Sequence, residues 1–394
     1  MGANKKDYIV IVSFCPFPYG DASDNAIYTF MSGFNEHGVD GEVLCAFPNL
    51  PLAHKGIPAV GEYCGVKYRY LHGRTCRSKI RIWNRISYFL FLPFLRKYIK
   101  DKLKTYNLTV LFVAQVGRIF YKASKLCQEE GAKVVLVSCE YPFYLREQSE
   151  KRIKKFNKFS SHIDKYIFET RTLDQYSRGI LDSDIDSIVI PATMPFEDIL
   201  LSKKVPSEPY IAYCGSIYSE AKDGLSNIIR AFSTFHKSHP EVRLKFVGRI
   251  TNPGYFTDLQ QLAEELKIQD LISYTGEVSR EEYVHYLKNA NMMMVAKPVN
   301  SFYGGGLSSK VVEYLFSGNP VLMVAADDYV DYLTHRENVY FVEDNHPETL
   351  SAALYDLYAN PEMMKSIGLN GREFALEHFN YHILTKGLLE FLLN

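Results

Sequence analysis

A chain of 394 residues is too long for a single compact core, so two domains are expected. A hydrophobic fraction of 47% with 23% charged residues excludes a disordered chain, and 45 basic against 45 acidic side chains give no overall field that would favour nucleic acid. The 7 cysteines form no CxxC pair, and Cys45, Cys139 and Cys214 lie in apolar runs, so a reducing, cytoplasmic setting is the simplest reading.

The opening MGANKKDYIVIVSF reads as a first strand rather than a secretory leader, and Lys6 stands where N-myristoylation would want Ser or Thr. Strand candidates follow at 8–14, 42–47, 67–72, 109–115, 133–140, 165–170 and 187–192, with helical patterns between them, among them 23–37 and 81–105. The segment 77–104, RSKIRIWNRISYFLFLPFLRKYIKDKLK, mixes Lys and Arg with Trp83, Phe89, Phe91 and Phe94. It reads equally as a domain helix broken near Pro93 and as a peripheral contact with an anionic membrane, at the inner face of the cell membrane. Its apolar run 86–95 is roughly half the length a membrane span needs. KRIKKFNK (151–158) reads as a solvated helix. DSDIDS (182–187) looks metal-like, but Ser187 and Thr193 stand where an EF-hand needs Gly and Glu, so a solvated turn is expected and no metal site.

SKKVPSEP (202–209) is polar, aperiodic and carries two prolines, which marks a linker. Strands then resume at 210–216, 243–249, 271–277, 292–298, 321–325 and 339–344. Strands alternating with helices predict two doubly wound, Rossmann-like α/β domains facing across a cleft. The expected division is 1–201, a linker 202–209, then 210–375, with a C-terminal helix 376–394 packing back on the first domain. Strands of the second domain end in Gly215-Ser216, Gly248-Arg249, Gly276-Glu277 and Lys297-Pro298. Ligands of open parallel sheets bind at such ends, although turns also use glycine there.

The run GGGLSSKVVEYLFSGNPVLMV (304–324) sets three glycines before a short helix. Ser308 or Ser309 suits an N-cap, and Gly318 with Pro320 closes the helix. Leu307, Val311, Tyr314 and Leu315 share a core face. A helix start opening on glycines offers amides and about half a positive charge to a phosphate. The spacing fits neither a P-loop, since Lys310 stands between Ser309 and Val311, nor a GxGxxG dinucleotide fingerprint.

This segment, with FVGR (246–249) and YTGEVSREEYVHYLKNANMMMV (274–295), resembles the donor-binding half of retaining GT-B glycosyltransferases of family 4. SFCPFPYGDASDNAIYTFMSGFNEHGVDGEVL (13–44) is more loosely similar to the family's opening strand, loop and helix. The resemblance implies a GT-B fold and a nucleoside-diphosphate sugar as substrate, with no resident cofactor. Of the family's E-x7-E pair, the second glutamate, which binds the ribose hydroxyls, corresponds to Glu313; the first falls on Gly305. Sugar recognition would then pass to the amides of Gly305, Gly306 and Leu307, with Ser308, or to Lys310. Where the family places an arginine beside the diphosphate stands Ser216, with Lys222 as the matching lysine and Arg249 as a substitute cation; Val278 falls where the base is held. Lys222 also reads as a solvated helix residue, and Glu313 as an exposed one.

The implied reaction is retaining and metal-independent: the leaving diphosphate, stabilised by Lys222, Arg249 and the loop amides, takes the acceptor's proton. Glu140 would orient a glycan or lipid-linked acceptor or act as base, or else serve structurally, and Gly20 and Asp21 would line the acceptor side. Surface-polysaccharide assembly is the expected setting. A nucleotide-sugar 2-epimerase or hydrolase and a non-catalytic nucleotide-sugar binding protein are the rival readings.

Overall fold

Both faces of the first strand are apolar, and that dictates its place in the middle of a layered structure. Along β1 (Lys6–Ser13), Tyr8, Val10 and Val12 enter one core while Ile9 and Ile11 enter another. Burial on both sides is what a parallel sheet between helix layers requires. The computed structural model describes residues 5–19, 22–113, 116–142, 149–182, 184–205, 207–298 and 307–394. Two compact units result, one of residues 1–194 with 380–394 and one of residues 195–379.

In the first unit, β1 is joined by β2 (Asp40–Cys45), β3 (Val60–Tyr63), β4 (Val66–Tyr70), β5 (Tyr106–Val113), β6 (Lys133–Ser138), β7 (Lys165–Phe168) and β8 (Ser187–Val189). Their order is β3-β4-β2-β1-β5-β6-β7-β8. β3 pairs antiparallel with β4 through the turn at Cys64 and Gly65, and the other pairings are parallel. This edge strand escaped the sequence reading because VGEY is four residues long and carries a glycine.

The second unit holds β9 (Tyr210–Cys214), β10 (Arg243–Val247), β11 (Ile272–Tyr274), β12 (Met292–Val295), β13 (Val321–Val324) and β14 (Tyr340–Val342). All pair in parallel, in the order β11-β10-β9-β12-β13-β14. That is the doubly wound order, which reverses between β9 and β12 and so opens a crevice at their carboxyl ends.

The division falls after Met194 rather than at 202–209. Phe196 stacks on Phe316 with centroids 4.3 Å apart, and Asp198 pairs with Arg280 at 2.7 Å. Lys204 donates to the Ala290 carbonyl at 3.1 Å and to Asn319 at 3.2 Å. The polar stretch is therefore fastened to the second unit. At the other end, helix Pro361–His378 stays with the second unit, whereas Leu388, Leu389 and Leu392 of helix Tyr381–Leu393 enter the core of the first. That helix approaches helix Ala22–Glu36 so closely that a Cβ on Gly33 would lie 2.2 Å from Thr385 Oγ1. Among the described residues, no helix is long and apolar enough to cross a membrane, and the seven cysteines are free thiols.

Candidate functional site

Helix Ser309–Ser317 begins beside the end of β9. Leu307, Val311, Tyr314 and Leu315 are buried, as their spacing requires, and Gly318 ends the helix at a φ of 78°. The Tyr314 hydroxyl accepts from the Cys214 amide at 2.7 Å and donates to the Cys214 carbonyl at 2.8 Å, which fixes helix to strand. Ser308 occupies the N-cap, but its side chain makes no capping bond; its amide donates to the Tyr329 hydroxyl at 3.2 Å.

This anchoring aims Lys310 at the crevice. Its Nζ donates to the Tyr213 hydroxyl at 2.7 Å and to Asp223 Oδ1 at 2.6 Å. Asp223 is 2% exposed, and its Oδ2 has no partner among the described residues. It ends the short helix Glu220–Asp223, where Gly224 turns the chain at a φ of 64° so close to β12 that a Cβ would meet the Ala296 carbonyl at 2.0 Å. Only glycine fits both the conformation and the space.

Two more lysines join the group. Lys222 is exposed, with Nζ 5.4 Å from the Tyr218 ring centre. Lys297 follows Ala296 at the end of β12 and is half-buried; burial holds its ammonium below the ordinary lysine range, against the pull of Asp328, with Lys310 adding to the depression. Asp223 answers the charge of Lys310, and a bound anion would answer those of the other two lysines. Burial first, and then the Asp223 carboxylate, push the Tyr213 hydroxyl far up, so it stays protonated.

One turn along the helix from Lys310, Glu313 is buried, not an exposed helix residue. Its Oε1 accepts from Arg280 at 2.5 Å and its Oε2 from the Tyr283 hydroxyl at 2.7 Å. Arg280 turns its other side in a fork onto Asp198, at 2.7 and 3.1 Å. A carboxylate has about four acceptor positions, so these bonds leave capacity for a ligand.

Residues 201–374 match the family model described as Glycosyl transferases group 1. The matched segment makes up most of the second unit. Over 280 residues the chain is 24% identical to an uncharacterized glycosyltransferase of Methanocaldococcus jannaschii, covering 67% of each protein. In structure it is similar to a sucrose-phosphate synthase from Thermosynechococcus elongatus, with a TM-score of 0.73, 15% identity and 98% of both chains covered. It is also similar to Anabaena HepE solved with UDP and glucose, with a TM-score of 0.72, 11% identity and coverage of 98% and 99%. The fold is GT-B.

Within the matched segment, Lys222, Lys310 and Glu313 are brought to one neighbourhood, and the Ser216 carbonyl accepts there from the Tyr213 hydroxyl at 3.3 Å. Arg249 lies exposed past β10, its carbonyl accepting from the Ile217 amide at 2.9 Å. Val278 is half-buried, just before the capping box that Ser279 and Glu282 build on helix Arg280–Asn289. Glu140 is exposed beyond β6 in the first unit. Gly20, Asp21, Gly305 and Gly306 lie outside the described residues. Among the described residues no His, Cys, Asp and Glu group suits a metal, and Asp186 of DSDIDS pairs with Lys165 at 3.0 Å. Sequence reasoning placed Lys297 at a ligand-binding strand end but gave it no role of its own. It also missed Asp223, Tyr213 and the Asp198–Arg280–Tyr283 support of Glu313, whose members are far apart in the chain.

Proposed function

We propose that the chain is a retaining glycosyltransferase of the family 4 type, moving a sugar from a nucleoside-diphosphate sugar to a glycan or lipid-linked acceptor in surface-polysaccharide assembly. The observation that carries this reading is the convergence of Lys222, Lys297 and Lys310 at the switch point of the matched segment, with Glu313 one turn away. Breaking the bond from the anomeric carbon to the phosphate oxygen loads negative charge on the leaving diphosphate. Cations already fixed at that place lower the barrier without reorganising. Lysines then do the work a metal does elsewhere, so the proposed reaction needs no metal and no resident cofactor. Glu313, oriented by Arg280 and Tyr283, receives the ribose hydroxyls, and the Val278 backbone faces the base. Glu140 orients the acceptor, and the departing phosphate takes its proton. Free thiols throughout suit the reducing cytoplasm in which nucleotide sugars are made.

UDP is the proposed nucleotide, because Anabaena HepE was solved with UDP-glucose and S. aureus TarM with UDP. A thermal-shift series with UDP, GDP, ADP and CMP tests this: UDP raises the melting temperature most, since a ligand at 100 times its Kd adds about 2.7 kcal/mol to stability. Transfer to an acceptor, surviving EDTA and giving the donor's own anomeric configuration by NMR, is the expected activity; donor turnover without acceptor indicates an epimerase or hydrolase instead. The reading fails if Lys297→Met and Lys310→Met, still folded, bind the nucleotide sugar as tightly as the unaltered chain.

A further inference from the structure

Helix Arg81–Leu103 has two apolar sides where a domain helix needs one. Phe91, Leu95 and Ile99 are fully buried in the first unit's core. Yet the outward side of its first half is apolar too: Ile82 is 61% exposed, Trp83 52% and Phe89 81%, with Ile80 at 59% just ahead. At 100° per residue, Ile82, Phe89 and Pro93 form one outward stripe, with Trp83 and Leu90 beside it. Soluble chains seldom leave so much contiguous apolar surface without a purpose.

The charges around the stripe say what covers it. No Asp or Glu occurs from residue 77 to residue 100. Arg77, Lys79 and Arg85 are exposed and form no ion pair among the described residues. Further along, Arg96 and Lys100 reach Glu130. A protein partner would have to supply carboxylates spaced to match; a bilayer with anionic headgroups supplies them everywhere, beneath which Trp and Phe can sink. The location fits as well. The helix returns from the end of β4 to the start of β5, so its first turns lie at the carboxyl edge of the sheet. There Tyr88 stacks on Phe47, just beyond β2, with centroids 4.6 Å apart. That is the edge where an open parallel sheet takes its ligands.

We propose that residues 77–93 dock the first unit on an anionic lipid surface, with Trp83, Phe89 and Ile82 entering the interface and Arg77, Lys79 and Arg85 meeting the headgroups. The docking is peripheral, and it stands whatever sugar the enzyme transfers.

Trp83 is the only tryptophan in the chain, so its emission reports the contact directly. The experiment titrates the full chain, without nucleotide, with vesicles of phosphatidylcholine alone and with vesicles rich in phosphatidylglycerol. The expected result is a blue shift with phosphatidylglycerol vesicles, quenched by brominated lipid and reversed by salt. Phe89→Ser is expected to lower partitioning about tenfold and Arg77→Gln about fivefold, without moving the melting temperature, since both side chains are exposed. Unmoved Trp83 emission at saturating anionic vesicles overturns the proposal. So does equal binding to both vesicle types, or a blue shift that grows with protein concentration alone, which would mean that a second copy covers the face. No arm involves a sugar nucleotide, so its outcome is separate from that of the proposed function.

Discussion

Glu313 has to be oriented and nearly dry at once, and Arg280 and Tyr283 hold it so. Removing its carboxylate strips Arg280 of one partner and leaves the half-buried Tyr283 hydroxyl with only the Cys214 carbonyl, at 3.5 Å. Because Arg280 is half-exposed, Glu313→Ala is expected to cost only about 1–2 kcal/mol of stability. Glu313→Gln keeps the shape and the Tyr283 bond and is the cleaner probe: nucleotide affinity falls about tenfold in calorimetry while the melting temperature moves little. Unchanged affinity would rule out the ribose role. Lys297 gives a test through pH. Burial holds its ammonium below the ordinary lysine range, so part of the free protein carries it neutral at alkaline pH. A bound diphosphate favours the charged form and raises that pKa. Binding therefore takes up a proton between the two values, and affinity rises as pH falls through that window. Titrations in buffers of different ionisation heat should show this uptake, and Lys297→Met should abolish it.

At the scale of elements, a second charged cluster holds the first unit together at the opposite end of its sheet. Glu42 on β2 accepts from Tyr8 of β1 at 3.1 Å, from Tyr98 at 2.8 Å and from Arg69 of β4 at 3.1 Å, and pairs with Lys102 at 2.6 Å. Tyr98 and Lys102 belong to helix Arg81–Leu103, so one carboxylate ties three strands to a helix. Burial alone would raise its pKa, but Lys102 and Tyr98 hold it below the ordinary carboxylate value of 4.5. A group depressed in the folded state adds stability above its unfolded pKa and loses it as pH falls through the folded one. Glu42→Gln is thus expected to lower the melting temperature at neutral pH and flatten its fall below pH about 4. An acid limb identical in the variant would dissociate Glu42 from acid unfolding. No sequence period hinted at this clamp, because its members lie in three strands and a helix. The strands themselves were legible, since burial on both faces writes a continuous apolar run, as in YIVIVSF and MMMVA. The helix 309–317 was legible down to its closing glycine, because periodicity and capping are local. Ser308 takes the N-cap position read for it, though its side chain makes no capping bond and its amide donates to Tyr329, a partner no local pattern announces. Arg280 stayed hidden because its partners are far away in sequence.

For the whole molecule, the division into units depends on where particular side chains lodge rather than on local composition. The polar, proline-bearing stretch 202–209 has the composition of a linker, yet Phe196, Asp198 and Lys204 bind their surroundings to the second unit. The last helix is bound to the first unit by Leu388, Leu389 and Leu392 and by Thr385 seated on Gly33. Each unit thus owns a core, and the first completes its own only with the end of the chain. Deleting residues 380–394 removes three core leucines, each worth about 2–3 kcal/mol on burial, more than a marginally stable domain can lose without consequence. Calorimetry of the shortened chain should show the transition of the first unit at a clearly lower temperature, or lost. The unit of residues 195–379 keeps Lys297, Lys310 and Glu313, so its transition should stay in place and still rise on addition of UDP. A shortened chain that unfolds in one step, with UDP moving that step as in the full chain, would show that the two cores melt as one and that the terminal helix supports both.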